Sequence, residues 1–463
     1  MSADLPAAPT TLWATQAWVA GDWQRDVLLT IDAQGRWAGV QPGQSRPADA
    51  RVLPGSALPG LVNAHSHAFQ RAFAGLAERR SAAQDDFWSW RERMYGVALR
   101  ISPEQLQVVA TQLYAELLQG GYTQVCEFHY LHHGLDGTPY ADRLTMAQAL
   151  IAAAQATGIG LTLLPVLYQR AGFETPTLRA EQRRFAADAD AVLAMRAALR
   201  ALRAPGVDVG MAIHSLRAAE PAAIAQLVAA LDGDDAPIHI HIAEQAAEVD
   251  ACVAATGQRS VEWLCHHVAL DKRWQLVHAT HASAAEIDAV AASGAGVVLC
   301  PSTEANLGDG LADLPHWLAS GVPLSIGSDS QVCRSWPQEL RLLEYGQRLA
   351  RRQRNVAAAP ESGQASSAQR LFNRALVGGA AAAGFDAGGL AVGARADLLV
   401  LDDTQHGVQG VPLPQQLDAL VFAADAPAWR QVWVAGRQLH TDGALRVGRG
   451  NAFAQAMAAL WAA

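Results

Sequence analysis

Two pairs of histidines separated by one residue stand out, His65-Ser66-His67 and His239-Ile240-His241. Side chains two residues apart on an extended segment point to the same side, so each pair can face one metal ion. In the second pair His241 lies nearer the end of its apolar run and is the predicted ligand, whereas His239 has either a supporting or a structural role. A pair of loop histidines is the alternative interpretation of either motif, so the spacing alone does not establish a metal site.

One more histidine and two acids follow other apolar runs. His278 ends the run that contains Leu276 and Val277, and Asp329 follows the run Pro323–Gly327. An acid at the end of an apolar segment is costly to bury unless it is paired or bound to a metal. Glu244 comes three residues after His241, where a carboxylate can reach a metal-activated water without being a ligand. Together these residue types predict metal-assisted hydrolysis.

Eight short apolar segments alternate with helix-like segments rich in Ala, Leu, Gln and Arg, such as Pro103–Gln119 and Phe185–Arg203. This alternation predicts an α/β fold, a (β/α)₈ barrel of the TIM type, whose functional groups lie at the C-terminal ends of the strands. The candidate metal and proton-handling residues all fall at or just beyond such ends. The predicted strands are Leu58–Ala64, Tyr122–Phe128, Gly160–Leu167, Val207–Ile213, Pro237–Ile242, Gln275–Ala279, Ala295–Leu299 and Pro323–Gly327.

Both ends of the chain contain strand-like segments separated by turns. We predict that residues 1–57 and 390–463 meet as one small β-sandwich domain, with a helix at the C-terminus, and that the barrel spans residues 58–389. The segment Arg351–Gln369 is the strongest loop candidate.

Composition restricts the class of protein. The 463 residues are 51% hydrophobic and 17% charged, which suits a large buried core, and the net charge of -9 argues against a nucleic-acid or anionic-membrane surface. The five cysteines form no CxxC pair, which is typical of reduced thiols in a cytoplasmic protein. We expect no signal peptide in Met1–Leu12 and no membrane span.

The run Pro59–His67, followed in order by His241, His278 and Asp329, resembles the amidohydrolase superfamily. The resemblance implies that His65, His67, His241 and Asp329 hold a metal, while Glu244, His278 and Asp329 handle protons. Many members of the superfamily bind two metals through a carboxylated lysine on the fourth strand. The only lysine in this chain, Lys272, lies elsewhere, so we predict one divalent metal. Zinc is the best match to three histidines and a carboxylate, and iron, manganese and nickel are the alternatives.

Four segments are similar to one family within that superfamily, the formimidoylglutamate deiminases of histidine degradation: His67–Arg71, Asp86–Arg91, Glu127–Tyr130 and His214–Arg217. The resemblance implies release of ammonia from N-formimidoyl-L-glutamate, an amidine with two carboxylates. It implies a small-molecule partner, a homodimer, and a substrate site whose residues are Gln70, Arg91, Tyr130, His214 and Arg217. Arginine suits this substrate because its forked donors match a carboxylate.

Two other functions remain open from the residues alone. A different mononuclear aminohydrolase, acting on a guanidine, a purine or a triazine-like ring, would favour stacking and amide contacts over Arg91 and Arg217. A metal-binding pseudoenzyme is disfavoured because Glu244 and Asp329 are both present.

Several residues have structural alternatives. Without the resemblance, Arg91 would be an exposed helix arginine and His214 a core histidine. Trp88 and Trp90 either close a pocket or pack a loop, with packing the default. We predict that His132-His133 and His266-His267 lie at the surface, and that Cys300 is a buried structural thiol.

Overall fold

The computed structural model describes residues 10–80, 87–426, 428–441, 444–445 and 451–462, so residues 1–9 of the predicted N-terminal segment lie outside it. Strands occupy both ends of the described chain and alternate with helices between them. In chain order they are β1 Thr10–Val19, β2 Asp22–Ile31, β3 Trp37–Gln41, β4 Arg51–Val52, β5 Ala57–Leu58, β6 Leu61–Ser66, β7 Tyr122–His129, β8 Gly160–Leu167, β9 Val207–Val209, β10 Met211–Ser215, β11 Ile238–Ile242, β12 Trp274–His278, β13 Gly296–Leu299, β14 Leu324–Ile326, β15 Leu398–Leu401, β16 Trp429–Val434, β17 Arg437–Thr441 and β18 Ala444–Leu445.

The two ends of the chain meet in one nine-stranded sheet, ordered β18-β17-β16-β15-β5-β1-β2-β3 with β4 beside β1. The ends join at β5, which lies parallel to β1 and antiparallel to β15. This sheet has its own apolar core, in which Leu12, Trp37, Val400 and Trp433 are buried. The prediction that the chain ends combine is therefore confirmed.

The middle of the chain forms the predicted barrel. Its strands follow the order β14-β13-β12-β11-β10-β8-β7-β6, all neighbours are parallel, and β9 extends the edge of β8. A parallel bridge between Ser66 and Asp329 brings the last strand beside the first, where the Asp329 N–H donates to the His65 carbonyl at 3.0 Å. This closure joins two predicted metal ligands through the backbone.

Two predicted strands are divided by residues that interrupt a ladder. Pro59 has no backbone N–H, so the predicted strand Leu58–Ala64 becomes β5 in the chain-end sheet and β6 in the barrel. Gly210 divides the predicted strand Val207–Ile213 into β9 and β10. A Cβ at Gly210 would lie 2.6 Å from the Pro237 carbonyl oxygen, so the chain needs glycine at this close approach.

Helices cover the outside of the barrel, and the helix Ser367–Ala383 packs against β6, β13 and β14. The predicted helix Phe185–Arg203 begins later, at Ala189, because the Asp188 side chain accepts from the Ala191 N–H at 2.8 Å and caps it. The helices are α1 Phe87–Ala98, α2 Pro103–Gln119, α3 Thr145–Thr157, α4 Ala189–Leu202, α5 Pro221–Ala230, α6 Ala246–Thr256, α7 Ser260–His267, α8 Ala284–Ser293, α9 Pro301–Leu307, α10 Leu314–Ser320, α11 Trp336–Arg351, α12 Ser367–Ala383, α13 Gln416–Phe422 and α14 Asn451–Trp461. Within the described ranges, none of them combines the length and the apolar character that crossing a membrane requires.

Candidate active site

Four side chains converge at the C-terminal mouth of the barrel. The Nε2 atom of His65 lies 3.1 Å from Nε2 of His67 and 2.9 Å from Nε2 of His241. Asp329 Oδ1 lies 3.5 Å from His65 Nε2 and 3.4 Å from His67 Nε2. All four residues are buried, so the barrel brings three imidazoles and one carboxylate from β6, β11 and the end of β14 to one point.

The chain turns sharply where it leaves these strands. Ala243, His278 and Asp329 have φ angles of 49°, 69° and 44°, in the left-handed region that non-glycine residues seldom adopt. Such backbone strain persists only where the surrounding fold enforces it, and it is concentrated at functional sites. In this protein the three strained residues end β12 or follow β11 and β14, and they turn the chain toward the mouth of the barrel.

The protonation of the histidines suits a cation. Burial lowers the pKa of His65 to about 3, and burial also lowers the pKa values of His67 and His241, so all three imidazoles are neutral near pH 7. His67 directs Nδ1 at the Phe128 carbonyl, 3.0 Å away, which leaves a lone pair on its Nε2 atom. Buried nitrogen lone pairs beside a carboxylate fit one divalent metal, because these electron-rich atoms repel one another unless a cation lies between them.

A second group of acids surrounds His278, a residue that lies beside the four converging side chains. His278 Nε2 is 3.8 Å from both Glu244 Oε1 and Asp329 Oδ2, and its Nδ1 is 3.6 Å from Glu304 Oε1. Burial opposes protonation of His278, but the charge of Glu244 and the neighbouring Cys300 and Glu304 raise its pKa well above the usual value. His278 is therefore suited to carry a proton between carboxylates.

Glu244 lies in a turn fixed by another carboxylate. The side chain of Glu248 accepts from the backbone N–H groups of Ala243 and Glu244 at 3.1 and 3.0 Å. Burial raises the pKa of Glu244 to about 7, with further contributions from the charges of Asp329 and Glu248. A carboxyl group with a pKa near the working pH can both accept and donate a proton.

A small inner cavity of about 50 Å³ opens beside these groups. Gln70, Tyr130 and His214 line it, as do His67, His241, Glu244, His278 and Asp329. Gln70 donates to the Tyr130 hydroxyl at 3.2 Å, while its Oε1 atom finds no hydrogen-bond partner within the described part of the chain. Burial and the nearby arginines lower the pKa of His214, so it offers a neutral ring.

A larger cavity of about 420 Å³, called the outer cavity below, lies next to the inner one, and Arg91 lines both. Arg91, on α1, is 9% exposed, so the interpretation of it as a surface arginine is wrong. Arg217 lines the outer cavity on the loop after β10. The buried Arg170 fixes this loop by donating to the carbonyl groups of Arg217 and Leu216 at 3.1 and 3.0 Å.

The loop that carries His67 is held by a buried acid. Glu127, on β7, accepts from the Ser66 hydroxyl at 2.8 Å and from the Ala68 N–H at 2.5 Å, on either side of His67. The next residue along β7, Phe128, supplies the carbonyl that receives Nδ1 of His67. Two adjacent positions of one strand therefore fix both the backbone and the ring of His67.

Other residues singled out in the sequence have various environments. The prediction that His132 and His133 are surface residues is wrong: His132 is buried against the Val166 carbonyl, and His133 is half-buried at 2.7 Å from the Ala186 carbonyl. His266 and His267 are exposed, as predicted. Cys300 is buried, as predicted, and burial raises the pKa of its thiol well above the usual value.

His239 and the tryptophans have structural contacts of their own. His239 is buried and its Nε2 atom lies 2.8 Å from the Ala382 carbonyl on α12. Trp90 lines the inner cavity and packs against Phe73 with ring centroids 5.4 Å apart, so it does both things that its sequence position allowed. Asp86 and the side chain of Trp88 lie outside the described residues.

Sequence reasoning missed three acids that support the site: Glu127, Glu248 and Glu304. Glu248 follows Glu244 at the spacing of one helical turn, and Glu304 follows the C-terminal end of β13, so each had a local signal. Glu127 is different, because it lies within a strand of apolar and polar residues and only the β6–β7 pairing brings it to Ser66.

The chain is similar to known proteins over almost its whole length. The model of the amidohydrolase family matches residues 56–439. The chain is 49% identical over 435 residues to formimidoylglutamate deiminase of Pseudomonas aeruginosa, covering 94% of this chain and 95% of that protein. It is 28% identical to 5-methylthioadenosine/S-adenosylhomocysteine deaminase of Natronomonas pharaonis, covering 84% and 82%.

A solved structure extends the same comparison. The crystal structure of an amidohydrolase from Brucella melitensis superposes with a TM-score of 0.91 at 41% identity, covering 97% of this chain and 99% of that one. The barrel order, the chain-end sheet and the extent of these matches agree with one another, and they show that the chain belongs to the amidohydrolase family.

Proposed function

We propose that the chain hydrolyses N-formimidoyl-L-glutamate to N-formyl-L-glutamate and ammonia. The observation that carries this proposal is that Arg91 lines both cavities, so a buried site suited to hydrolysis lies beside an arginine-lined space suited to carboxylates. The similarity to a formimidoylglutamate deiminase at 49% identity supports the same substrate.

We assign one divalent metal per chain, zinc by preference, to His65, His67, His241 and Asp329. The Nε2 atom of His65 lies 3.1 Å from that of His67, 2.9 Å from that of His241 and 3.5 Å from Asp329 Oδ1, and this closeness and the neutral state of the imidazoles support the assignment. When bound, such a metal supplies a water nucleophile near neutral pH by lowering the pKa of water to roughly 7.

The remaining groups handle protons. Water adds to the amidine carbon, the bond from this carbon to the terminal nitrogen breaks, and the nitrogen leaves as ammonia after accepting a proton. We assign proton delivery to Glu244, which can also pair with the cationic amidine before reaction. Asp329 accepts the proton of the attacking water, and the protonated His278, 3.8 Å from Asp329 Oδ2, stabilises the negative charge that develops on the attacking oxygen.

The polar groups of the two cavities orient the substrate. In this proposal Gln70, Tyr130 and His214 contact the amidine end, and the free Oε1 of Gln70 supports an acceptor role toward an amidine N–H. Arg91 and Arg217 bind the two carboxylates, with Arg91 nearer the reacting carbon because it lines both cavities.

The direct test is ammonia release by the zinc-loaded protein. We expect turnover of N-formimidoyl-L-glutamate and none of guanine or N-formyl-L-glutamate. The deaminase relatives at 28% identity make a purine substrate the second candidate. Turnover of a purine without turnover of formimidoylglutamate would contradict the proposal and favour that second candidate.

We further propose a cytoplasmic homodimer. The unpaired cysteines support a reducing compartment, and the family resemblance supports the dimer. Light scattering of the purified protein during size-exclusion chromatography gives its mass, and a monomer of 49.0 kDa would contradict the dimer.

A further inference from the structure

The outer cavity has a third arginine that the preceding assignment does not use. Arg179 lines it together with Arg91 and Arg217. Among the described residues that line this cavity, one is acidic, Glu174. This concentration of positive charge occurs in a chain whose net charge is -9. Because a cleft lined mainly by one sign of charge concentrates ligands of the opposite sign, three arginines around one cavity indicate an anionic ligand.

In the proposed function the amidine end of the substrate lies in the inner cavity beside Glu244 and His278, so the part that carries the carboxylates extends toward the arginines of the outer cavity of about 420 Å³. Arg91, at the junction, faces the carboxylate nearer the amidine. The distal carboxylate then lies in the space lined by Arg179 and Arg217.

The backbone of Arg179 is tied to the wall of the inner cavity. Its N–H donates at 3.0 Å to Oε1 of the buried Gln182. The Nε2 atom of Gln182 donates to the hydroxyl groups of Tyr168 at 2.8 Å and Tyr95 at 3.3 Å. Both tyrosines line the inner cavity, so Gln182 fixes the backbone of Arg179 relative to the inner cavity. Arg179 itself is exposed.

The three arginines also influence one another. Burial is the main cause that lowers the pKa of Arg91, and the positive charges of Arg217 and Arg179 contribute to the same shift. Cations held close together repel one another, and a bound dianion relieves this repulsion by placing its two negative charges beside them.

We propose that Arg179 is a specificity-determining residue that, with Arg217, binds the distal carboxylate of the substrate at the mouth of the outer cavity. This inference rests on the proposed function, since it requires a dicarboxylate amidine. It adds that selection between substrates with and without the distal carboxylate takes place on the loop between β8 and α4.

The test compares Arg179→Gln with the wild-type protein on N-formimidoyl-L-glutamate and on N-formimidoyl-L-glutamine, whose distal group is neutral. Arg183→Gln is the matched control: it removes the same charge from the same turn, but Arg183 donates to the Leu135 and Ala180 carbonyl groups and is absent from the cavity lining. We expect Arg179→Gln to raise KM for formimidoylglutamate about two- to fivefold with kcat nearly unchanged, the size of an exposed ion pair.

The same substitution leaves the kinetics on formimidoylglutamine unchanged, and Arg183→Gln leaves both substrates unchanged. Added NaCl raises the wild-type KM for formimidoylglutamate more than that of Arg179→Gln, because exposed charges are screened. Calorimetric binding of N-formyl-L-glutamate gives a readout without turnover, and its Kd increases in Arg179→Gln by the same factor as KM.

Equal effects of Arg179→Gln on the two substrates, or no effect on either, would overturn the role of Arg179 while the wild-type activity stands. Absence of wild-type activity on formimidoylglutamate would instead overturn the proposed function, and the role of Arg179 with it.

Discussion

The inner and outer cavities differ in how the fold builds them. The inner cavity is lined by side chains from strand ends together with residues of α1, and the candidate ligands at its floor, His65, His67, His241 and Asp329, are at most 8% exposed. The outer cavity is lined by residues of α1, α6 and loops, and its residues Glu174 and Arg179 are exposed. Buried groups hold a fixed geometry and perturbed pKa values, whereas exposed charges select a ligand at low structural cost. We therefore expect the reaction chemistry at the inner cavity and the selection of the substrate at the outer one.

Metal removal tests the inner cavity with the largest expected effect. Dialysis against a chelator should abolish ammonia release, and one equivalent of zinc per chain should restore it, because the candidate ligands His65, His67 and Asp329 lie close enough to share one ion and His241 lies 2.9 Å from His65. Elemental analysis during the titration gives the stoichiometry. Maximal activity only at two metals per chain would contradict a mononuclear site.

Replacing Glu244 separates proton transfer from metal binding. Glu244→Gln keeps the shape but removes the proton carrier, so we expect kcat to fall about 10²–10⁴-fold with metal content unchanged. The exposed Glu361, changed to Gln, is the control. Normal kcat in Glu244→Gln would move the proton work to His278, and loss of the metal would make Glu244 a ligand.

The arginines test whether recognition can be separated from chemistry. Arg91→Met and Arg217→Met should each lower kcat/KM, because each leaves a substrate carboxylate without its partner. The expected decrease corresponds to a loss of about 2–5 kcal/mol in transition-state stabilisation. Metal content should not change, and Arg354→Met, at an exposed position, should have no effect. If both variants keep the wild-type kcat/KM for formimidoylglutamate, these residues do not bind its carboxylates.

The smallest of these effects concerns the support of a ligand. Glu127→Gln replaces one acceptor oxygen with a donor opposite the Ser66 hydroxyl or the Ala68 N–H, which loosens the loop on both sides of His67. We expect roughly 10–100-fold weaker metal binding, measured by chelator competition. A loss of this size is typical when a residue that holds a metal ligand in place is replaced. Unchanged metal affinity would show that Phe128 and the barrel alone fix His67.

The sequence by itself determined the barrel and much of its inner cavity. Apolar segments alternated with helices at a regular spacing, and His65, His67, His241, His278 and Asp329 each stood at or just beyond the end of such a segment. Parallel strands present their C-terminal ends to one face, so position along the chain was enough to predict that these residues meet. The arginines Arg91 and Arg217 were found by resemblance to a family and by no periodicity.

Only the tertiary structure decided which distant segments complete the site. The Ser66–Asp329 bridge closes the barrel, β7 brings Glu127 beside Ser66 and Ala68, and Gln182 ties Arg179 to the wall of the inner cavity. The Ser66–Asp329 and Glu127–Ser66 pairs follow no helical or strand period, because their members belong to different elements. Gln182 lies only three residues from Arg179, but its contacts with Tyr168 and Tyr95 likewise join separate elements. Their distances depend on how strands and loops pack around the closed barrel, and that packing is set by all the elements together.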